Sequence, residues 1–92
     1  MPSRQMAFQL SAFEYREAMK LFVLLDSRGV AAKDYLSAMT DEKRRERLSA
    51  ALQIAVKCHK DGTDPLRVQK IVCWRDEHGK PGVMEAQLSQ VS

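Results

Sequence analysis

The hydrophobic period of the chain changes at Ser11, and this change limits the fold more than any other feature of the sequence. Before Ser11, Met6, Phe8 and Leu10 alternate with polar or small residues, which is the two-residue period of a half-buried strand. After Ser11 the apolar residues follow the spacing of one helix face, at Ala18, Leu21, Phe22 and Leu25. The chain therefore begins with a strand that leads directly into an amphipathic helix.

Both ends of this first helix carry sequence signals. The segment Ser11-Ala12-Phe13-Glu14 fits a capping box, in which the serine hydroxyl and the glutamate carboxylate each accept a hydrogen bond from a free backbone N–H. Gly29 supplies the left-handed residue that ends a helix, and Val30 is placed to contact Leu25 behind it. These signals predict a helix over about residues 12–28.

Two further helices are predicted before Gly62. A short one covers about residues 31–39, and a longer one covers about 41–60 with Thr40 as its N-cap. Gly62 is the predicted stop. The third helix has an apolar stripe at i, i+3, i+4, i+7, i+8 and i+11, formed by Leu48, Ala51, Leu52, Ala55, Val56 and His59.

The last third of the chain has a different character. Residues 67–75 are rich in β-branched and aromatic side chains, residues 76–82 are turn formers, and residues 83–89 alternate. This pattern predicts a hairpin of strands 67–75 and 83–89. A helix starting at Asp64 and Pro65 is the alternative, because proline is favoured in a first helical turn. The predicted fold class is α+β: an N-terminal strand, three helices and a C-terminal β-hairpin.

Length and composition limit the classes of protein. The 92 residues suffice for a single domain, 1–92, with a modest core, and 45% hydrophobic with 29% charged residues is an ordinary globular balance. No apolar run approaches a membrane span, and the first residues lack the apolar region of a signal peptide. A cytoplasmic protein without membrane contact is expected. Cys58 and Cys73 are too few for a disulfide scaffold. One bridge between them is an open alternative, but without a secretion signal reduced thiols are expected.

The basic excess is confined to one segment. Residues 1–41 and 61–92 are close to neutral, whereas residues 42–60 contain six basic and two acidic side chains. Arginine matches phosphate and carboxylate groups, and clustered positive charge attracts nucleic acid. The alternative is a solvated helix face with local pairs to Glu42 and Glu46. The predicted partner- or phosphate-binding residues are Lys43, Arg44, Arg45, Arg47, Lys57 and Lys60.

Two other features suggest interfaces. Trp74 and Arg75 belong to residue types that are enriched in binding hot spots, although a core role for Trp74 is the favoured interpretation because large aromatics dominate small cores. Residues 21–25 are apolar on every side of one helix turn, which exceeds what a single buried face needs. A homodimer that buries Val23 or Leu24 of the first helix is therefore a hypothesis.

No catalytic or metal-binding pattern is present in the sequence. The soft ligands Cys58, His59, Cys73 and His78 lack the paired spacing of zinc sites. Neither cysteine–histidine pair has a recognisable nucleophile signature, and there is no glycine-rich phosphate loop. The expectation is a protein that is not an enzyme and that has no metal and no cofactor.

The first half of the chain resembles ribbon–helix–helix repressors. The resemblance lies in a short strand with Phe8-Gln9-Leu10, a helix, Gly29 and a second helix, and it covers about half the chain. In that family two strands of a dimer enter the major groove of DNA. The resemblance implies base-reading roles for Gln5, Gln9 and Arg4, while the C-terminal hairpin is not usual in the family.

Two functions are predicted on these grounds. The first is a non-enzymatic macromolecule-binding protein of bacterial or phage and mobile-element type. It would act sterically, as an inhibitor or accessory factor, on a protein or nucleoprotein partner through its basic helix and hairpin. The alternative is a dimeric DNA-binding transcriptional regulator with a ribbon–helix–helix-like N-terminal half.

Overall fold

A computed structural model describes residues 4–89 and gives an antiparallel three-stranded sheet with three helices. The sheet order is β1-β2-β3, so the N-terminal strand lies beside the hairpin. The α+β prediction is confirmed. The elements are β1 (Met6–Ser11), α1 (Ala12–Ser27), α2 (Ala32–Ser37), α3 (Glu42–Asp61), a 3₁₀ turn (Pro65–Arg67), β2 (Val68–Arg75) and β3 (Pro81–Leu88).

The two local signals that bound α1 form as predicted. The Ser11 hydroxyl accepts the Glu14 N–H at 3.2 Å, and the Glu14 carboxylate accepts the Ser11 N–H at 3.2 Å. Gly29 has φ +67°, and the Val30 N–H donates to the Leu25 carbonyl at 3.0 Å. Ser11 is both the last residue of β1 and the N-cap of α1, so the capping box sets the point at which the strand becomes a helix.

The N-cap of α3 is Asp41, so the prediction of Thr40 is wrong by one residue. Asp41 has extended backbone angles, and its carboxylate accepts the Arg44 N–H at 3.2 Å. A carboxylate at this place also stabilises the positive end of the helix dipole, which a threonine hydroxyl does only weakly. Gly62 ends the helix at φ +72°, as predicted.

The hairpin prediction is confirmed, and the competing helix signal forms only one turn. The Asp64 carboxylate accepts the Leu66 N–H at 2.9 Å, and the 3₁₀ turn ends at Arg67. Val68 is 1% exposed at the start of β2, because β-branched side chains pack better in the sheet than in a helix. Strand β3 begins at Pro81, two residues before the predicted start.

The core lies between one face of the sheet and the pair α1 and α3. Leu10 of β1 is opposite Ile71 of β2, and Ile71 is opposite Ala86 of β3. Tyr15 of α1, fully buried, packs over these strands. Small buried residues allow the two helices to approach closely, namely Ala18, Ala50, Ala51 and Ala55. The opposite face of the sheet has no helix of the described chain on it, since α1 and α3 share one face.

Candidate functional site

The basic segment does not form one patch in the structure. Lys43, Arg44 and Arg45 are consecutive on a helix, so they point about 100° apart. Each lies on a different surface: Lys43 beside β1, Arg44 toward α1, and Arg45 toward α2. The structure therefore separates side chains that the sequence places together.

Arg47 is committed to contacts inside the protein. Its guanidinium donates to the Glu14 carboxylate at 2.9 Å and to the Gln9 carbonyl at 2.9 Å, and it lies 5.5 Å from the Phe8 ring. These contacts join the start of α3 to both β1 and α1. The side chain keeps 38% exposure, but its hydrogen-bonding groups are directed at its own chain. Arg47 is thus a structural residue among the predicted binding residues.

The electrostatics of Glu14 agree with this role. Partial burial raises the pKa of Glu14, but the backbone N–H of Ser11 and the Arg47 guanidinium together lower it further, so the net pKa is below its ordinary value. Glu14 is therefore ionised at neutral pH. One carboxylate caps α1 and pairs with α3 at the same time.

Arg45 borders a wide groove between α2 and α3, which we name the α2–α3 groove. Its guanidinium donates to the Met39 carbonyl at 3.3 Å and lies 3.8 Å from the Glu42 carboxylate. The groove has a volume of about 640 Å³ and a mainly apolar floor. It is lined by Ala32, Lys33, Leu36, Ser37, Arg45, Ser49, Leu52, Gln53 and Val56.

Arg44 borders a second depression, which we name the aromatic cleft. This cleft of about 400 Å³ lies where α1, α2 and α3 meet. Phe13 is 69% exposed and Tyr35 is 40% exposed on its two sides. Within residues 4–89 no side-chain hydrogen bond or ion pair holds the Arg44 guanidinium. The cleft is lined by Phe13, Glu14, Glu17, Tyr35, Met39, Arg44, Arg47 and Leu48.

Helix α2 lies between the two depressions and is weakly packed. None of its six residues is buried, and its N-cap Ala31 offers no side-chain hydrogen bond. A six-residue helix has too few internal hydrogen bonds to be stable alone. Ala32 and Leu36 touch the edge of the core and are only partly buried, whereas Tyr35 of the same helix leaves its ring exposed.

Sequence reasoning missed Phe13 and Tyr35. A signal for Phe13 was available, because it lies outside the apolar stripe of α1 that Ala18 and Leu25 define. For Tyr35 no such signal exists, since α2 is too short to show a period. The exposure of both rings is set by how the helices pack.

The remaining predicted binding residues lie elsewhere. Lys57 and Lys60 are exposed near the end of α3, about 20 Å and about 24 Å along the helix from Arg44 at about 1.5 Å per residue. Lys57 borders a depression beside β3. The structure does not bring these lysines to the aromatic cleft.

Trp74 lies on the open face of the sheet, so the favoured prediction of a core role is wrong. Its indole N–H donates to the Glu85 carboxylate at 2.6 Å, and the Arg4 guanidinium lies 5.1 Å from its ring. Arg4 also pairs with Glu85 at 3.0 Å. Trp74 faces away from the helices because Ile71 and Cys73, in alternate positions, face them. Arg75 is exposed and donates to the Gly79 carbonyl at 2.9 Å, which stabilises the hairpin turn.

The two thiols are free and buried in the core. Burial, and then the nearby Glu46 carboxylate, raise the pKa of Cys73, so this thiol is protonated and poorly nucleophilic at neutral pH. Burial raises the pKa of Tyr15 to about 12, with a further contribution from Cys58. Among the described residues no three histidine, cysteine or acidic side chains are grouped to hold a metal ion.

The first strand differs in its pairing from a DNA-binding ribbon. β1 pairs with β2 of the same chain, Leu10 opposite Ile71, whereas the strands of ribbon–helix–helix repressors pair between subunits. At its other edge, the Gln9 carbonyl and the Ser11 N–H are bonded to Arg47 and Glu14. The order of strand, helix and helix agrees with that family, and the pairing of the strand does not.

The comparisons with known proteins give no relative. No protein-family model matches the chain, and no curated protein or solved structure is significantly similar to it. Across residues 4–89, none of the helices combines the length and the apolar character that crossing a bilayer requires.

Proposed function

We propose that this protein is a non-enzymatic binding protein that docks on a protein partner through the aromatic cleft and blocks or modifies that partner sterically. The observation that carries the proposal is the pair of exposed aromatic rings, Phe13 and Tyr35, beside the Arg44 side chain. Aromatic residues and arginine dominate the energetic centres of protein interfaces. Two exposed rings in so small a domain form an apolar surface that binding would remove from water.

The charges of the cleft favour a particular partner chemistry. Glu14 is occupied by Arg47, and Glu17 is paired with Lys20 at 3.4 Å. Among the charged side chains that line the aromatic cleft, Arg44 is therefore the one available to bind a charged group of a partner. The partner segment therefore presents an apolar side chain next to a carboxylate, because a guanidinium and a carboxylate form strong, directed hydrogen bonds.

The neighbouring α2–α3 groove extends the same surface. Leu36 and Val56 contribute apolar lining there, and Lys33 and Arg45 contribute positive charge at its border. A segment that crosses α2 would meet apolar side chains flanked by cations on both sides of the helix. This supports an acidic, amphipathic partner segment.

Affinity capture with matched variants tests the proposal. Phe13→Ser and Arg44→Glu should each reduce capture of one discrete protein at least tenfold, since hot-spot truncations cost about 2 kcal/mol or more. Val23→Ser is the control, because Val23 is also exposed on α1, at 57%, but lies outside the cleft. All three variants change exposed side chains and should unfold at about the wild-type temperature. Equal loss of capture with Val23→Ser would contradict the cleft as the docking site.

A titration against random duplex DNA distinguishes the nucleic-acid alternative. If the protein docks on a protein, fluorescence anisotropy should show no binding at near-physiological salt. Binding that weakens steeply as salt rises would instead assign the cations of α3 to phosphates. Lys43→Glu would then weaken DNA binding, whereas Phe13→Ser would not.

A further inference from the structure

The two edges of the sheet differ in how their backbone groups are used. At the outer edge of β1, the Arg47 guanidinium bonds the Gln9 carbonyl and the Glu14 carboxylate bonds the Ser11 N–H. That edge is therefore not available to another strand along these residues. At the other edge, within residues 4–89, no side chain bonds a backbone group of residues 83–88. An open strand edge of this kind is a template for strand pairing.

The ladder shows which backbone groups of β3 are open. The backbone N–H and carbonyl groups of Gln9 and Ser11 point away from β2, so those of Leu10 between them point toward β2 and bond Ile71. The next residue of the central strand, Val72, directs its backbone groups to the other side and bonds Glu85 of β3. Backbone groups alternate along a strand, which leaves those of Met84, Ala86 and Leu88 at the outer edge. Three residues thus offer both an N–H and a carbonyl to a further strand.

We propose that β3 pairs antiparallel with β3 of a second copy of this chain, which gives a dimer with one continuous six-stranded sheet. A two-fold axis midway between the two copies of Ala86, perpendicular to the sheet, keeps the helices of both copies on one face. Met84 then lies opposite Leu88 of the other copy, apolar against apolar, and Glu85 lies opposite Gln87. The register centred on Glu85 is disfavoured, because it places two carboxylates opposite each other.

The surface beside β3 is complementary to itself in charge. Lys57 and Asp61 of α3 are exposed and border the depression that Ala86 and Leu88 line. Under the proposed symmetry the two copies of α3 run past each other in opposite directions. Lys57 of each copy then faces Asp61 of the other, which gives two equivalent ion pairs. This self-complementarity is the argument for a second copy over an unrelated strand.

Ala86→Pro is the direct test, because it removes an N–H from the outer edge only. Proline is tolerated on an edge strand where the N–H faces solvent, so the monomer should remain folded by circular dichroism. Sedimentation equilibrium of the full chain should show a monomer–dimer equilibrium for the wild type. The dissociation constant should rise at least about tenfold for the variant, since it loses symmetric backbone bonds. Val23→Lys on α1 is the control and should leave the constant unchanged.

Charge exchange gives a second test that does not depend on proline. Lys57→Asp and Asp61→Lys should each weaken the dimer several-fold, because each single variant places like charges opposite each other. The double variant should restore the dimer, because the exchange returns opposite charges to both contacts between the copies. A wild type that is monomeric up to about 1 mM overturns the proposal. A dimer that is insensitive to Ala86→Pro and to both single charge variants also overturns it, and one lost with Val23→Lys assigns dimerisation to α1 instead.

Discussion

The layer formed by the sheet, α1 and α3 differs from the region around α2 in how far its apolar side chains are buried. In the first, Leu10, Tyr15 and Ile71 are at most 1% exposed. In the second, no residue of α2 is buried, and Tyr35 keeps 40% of its surface in water. The two regions lie in one small domain. Burial is therefore concentrated in the first region, and accessible apolar surface is concentrated around α2.

Arg44 and Arg47 repeat this contrast within one helix turn. Arg47 bonds a carboxylate and a carbonyl of its own chain, whereas the Arg44 side chain lines the aromatic cleft. Net charge along the sequence does not distinguish them. Their neighbours in space do, and mutations should therefore separate them.

The largest expected effect is on the buried layer. Ile71→Ala should lower the free energy of unfolding by about 3 to 4 kcal/mol, because a fully buried side chain leaves a cavity. Leu36→Ala on α2 is the matched change and should cost about 1 kcal/mol, since that residue is only partly buried at the edge of the core. Urea denaturation measures both. Equal losses would contradict the division between the two regions.

The two arginines provide the next comparison. Arg47→Ala should lower the free energy of unfolding by about 1 to 2 kcal/mol, a value reduced for solvent screening because both partners are more than a third exposed. Arg44→Ala should change it by less than about 0.5 kcal/mol. Thermal unfolding at low salt measures the difference. A greater loss for Arg44→Ala would contradict the assignment of their roles.

Substitution of Tyr15 tests whether the buried layer has the highest stability that its packing allows. Its hydroxyl is buried and has no hydrogen-bond partner among the described residues. Tyr15→Phe removes this unsatisfied group and keeps the ring, so it should raise the free energy of unfolding by about 1 kcal/mol. A loss of stability in urea denaturation would show instead that the hydroxyl makes a bond that matters, with the Cys58 thiol as the nearest candidate.

The smallest effect is a dependence on pH. The pKa of Glu14 is lowered on folding, so its contribution is complete above the unfolded value near 4.5 and is lost as the pH falls through the folded value. The difference in unfolding free energy between wild type and Arg47→Ala should therefore shrink below about pH 4.5. Glu17→Gln is the control, because that exposed residue pairs with Lys20 outside this contact. A difference that stays constant down to pH 3 would contradict the ion pair.

The features that sequence could predict are those set by neighbours along the chain. The Ser11–Glu14 capping box and the Gly29 stop are local, and both form. The Arg47–Glu14 pair joins residues 33 positions apart, and no local pattern encodes it. The sequence also does not predict which face of the sheet Trp74 lies on. Residues 71–74 are all apolar, and the register is irregular after Val68, so the alternation of apolar and polar residues does not identify the inner face.

Site-specific photo-crosslinking tests most directly the claim that the aromatic cleft is a docking surface. A photoreactive phenylalanine analogue is placed at Phe13 or, as control, at Val23, two comparably exposed positions of α1. The Phe13 probe should crosslink one discrete protein in cells, and Arg44→Glu should abolish that product, while the Val23 probe should not form it. The same product from both probes, or one that is insensitive to Arg44→Glu, would contradict the account.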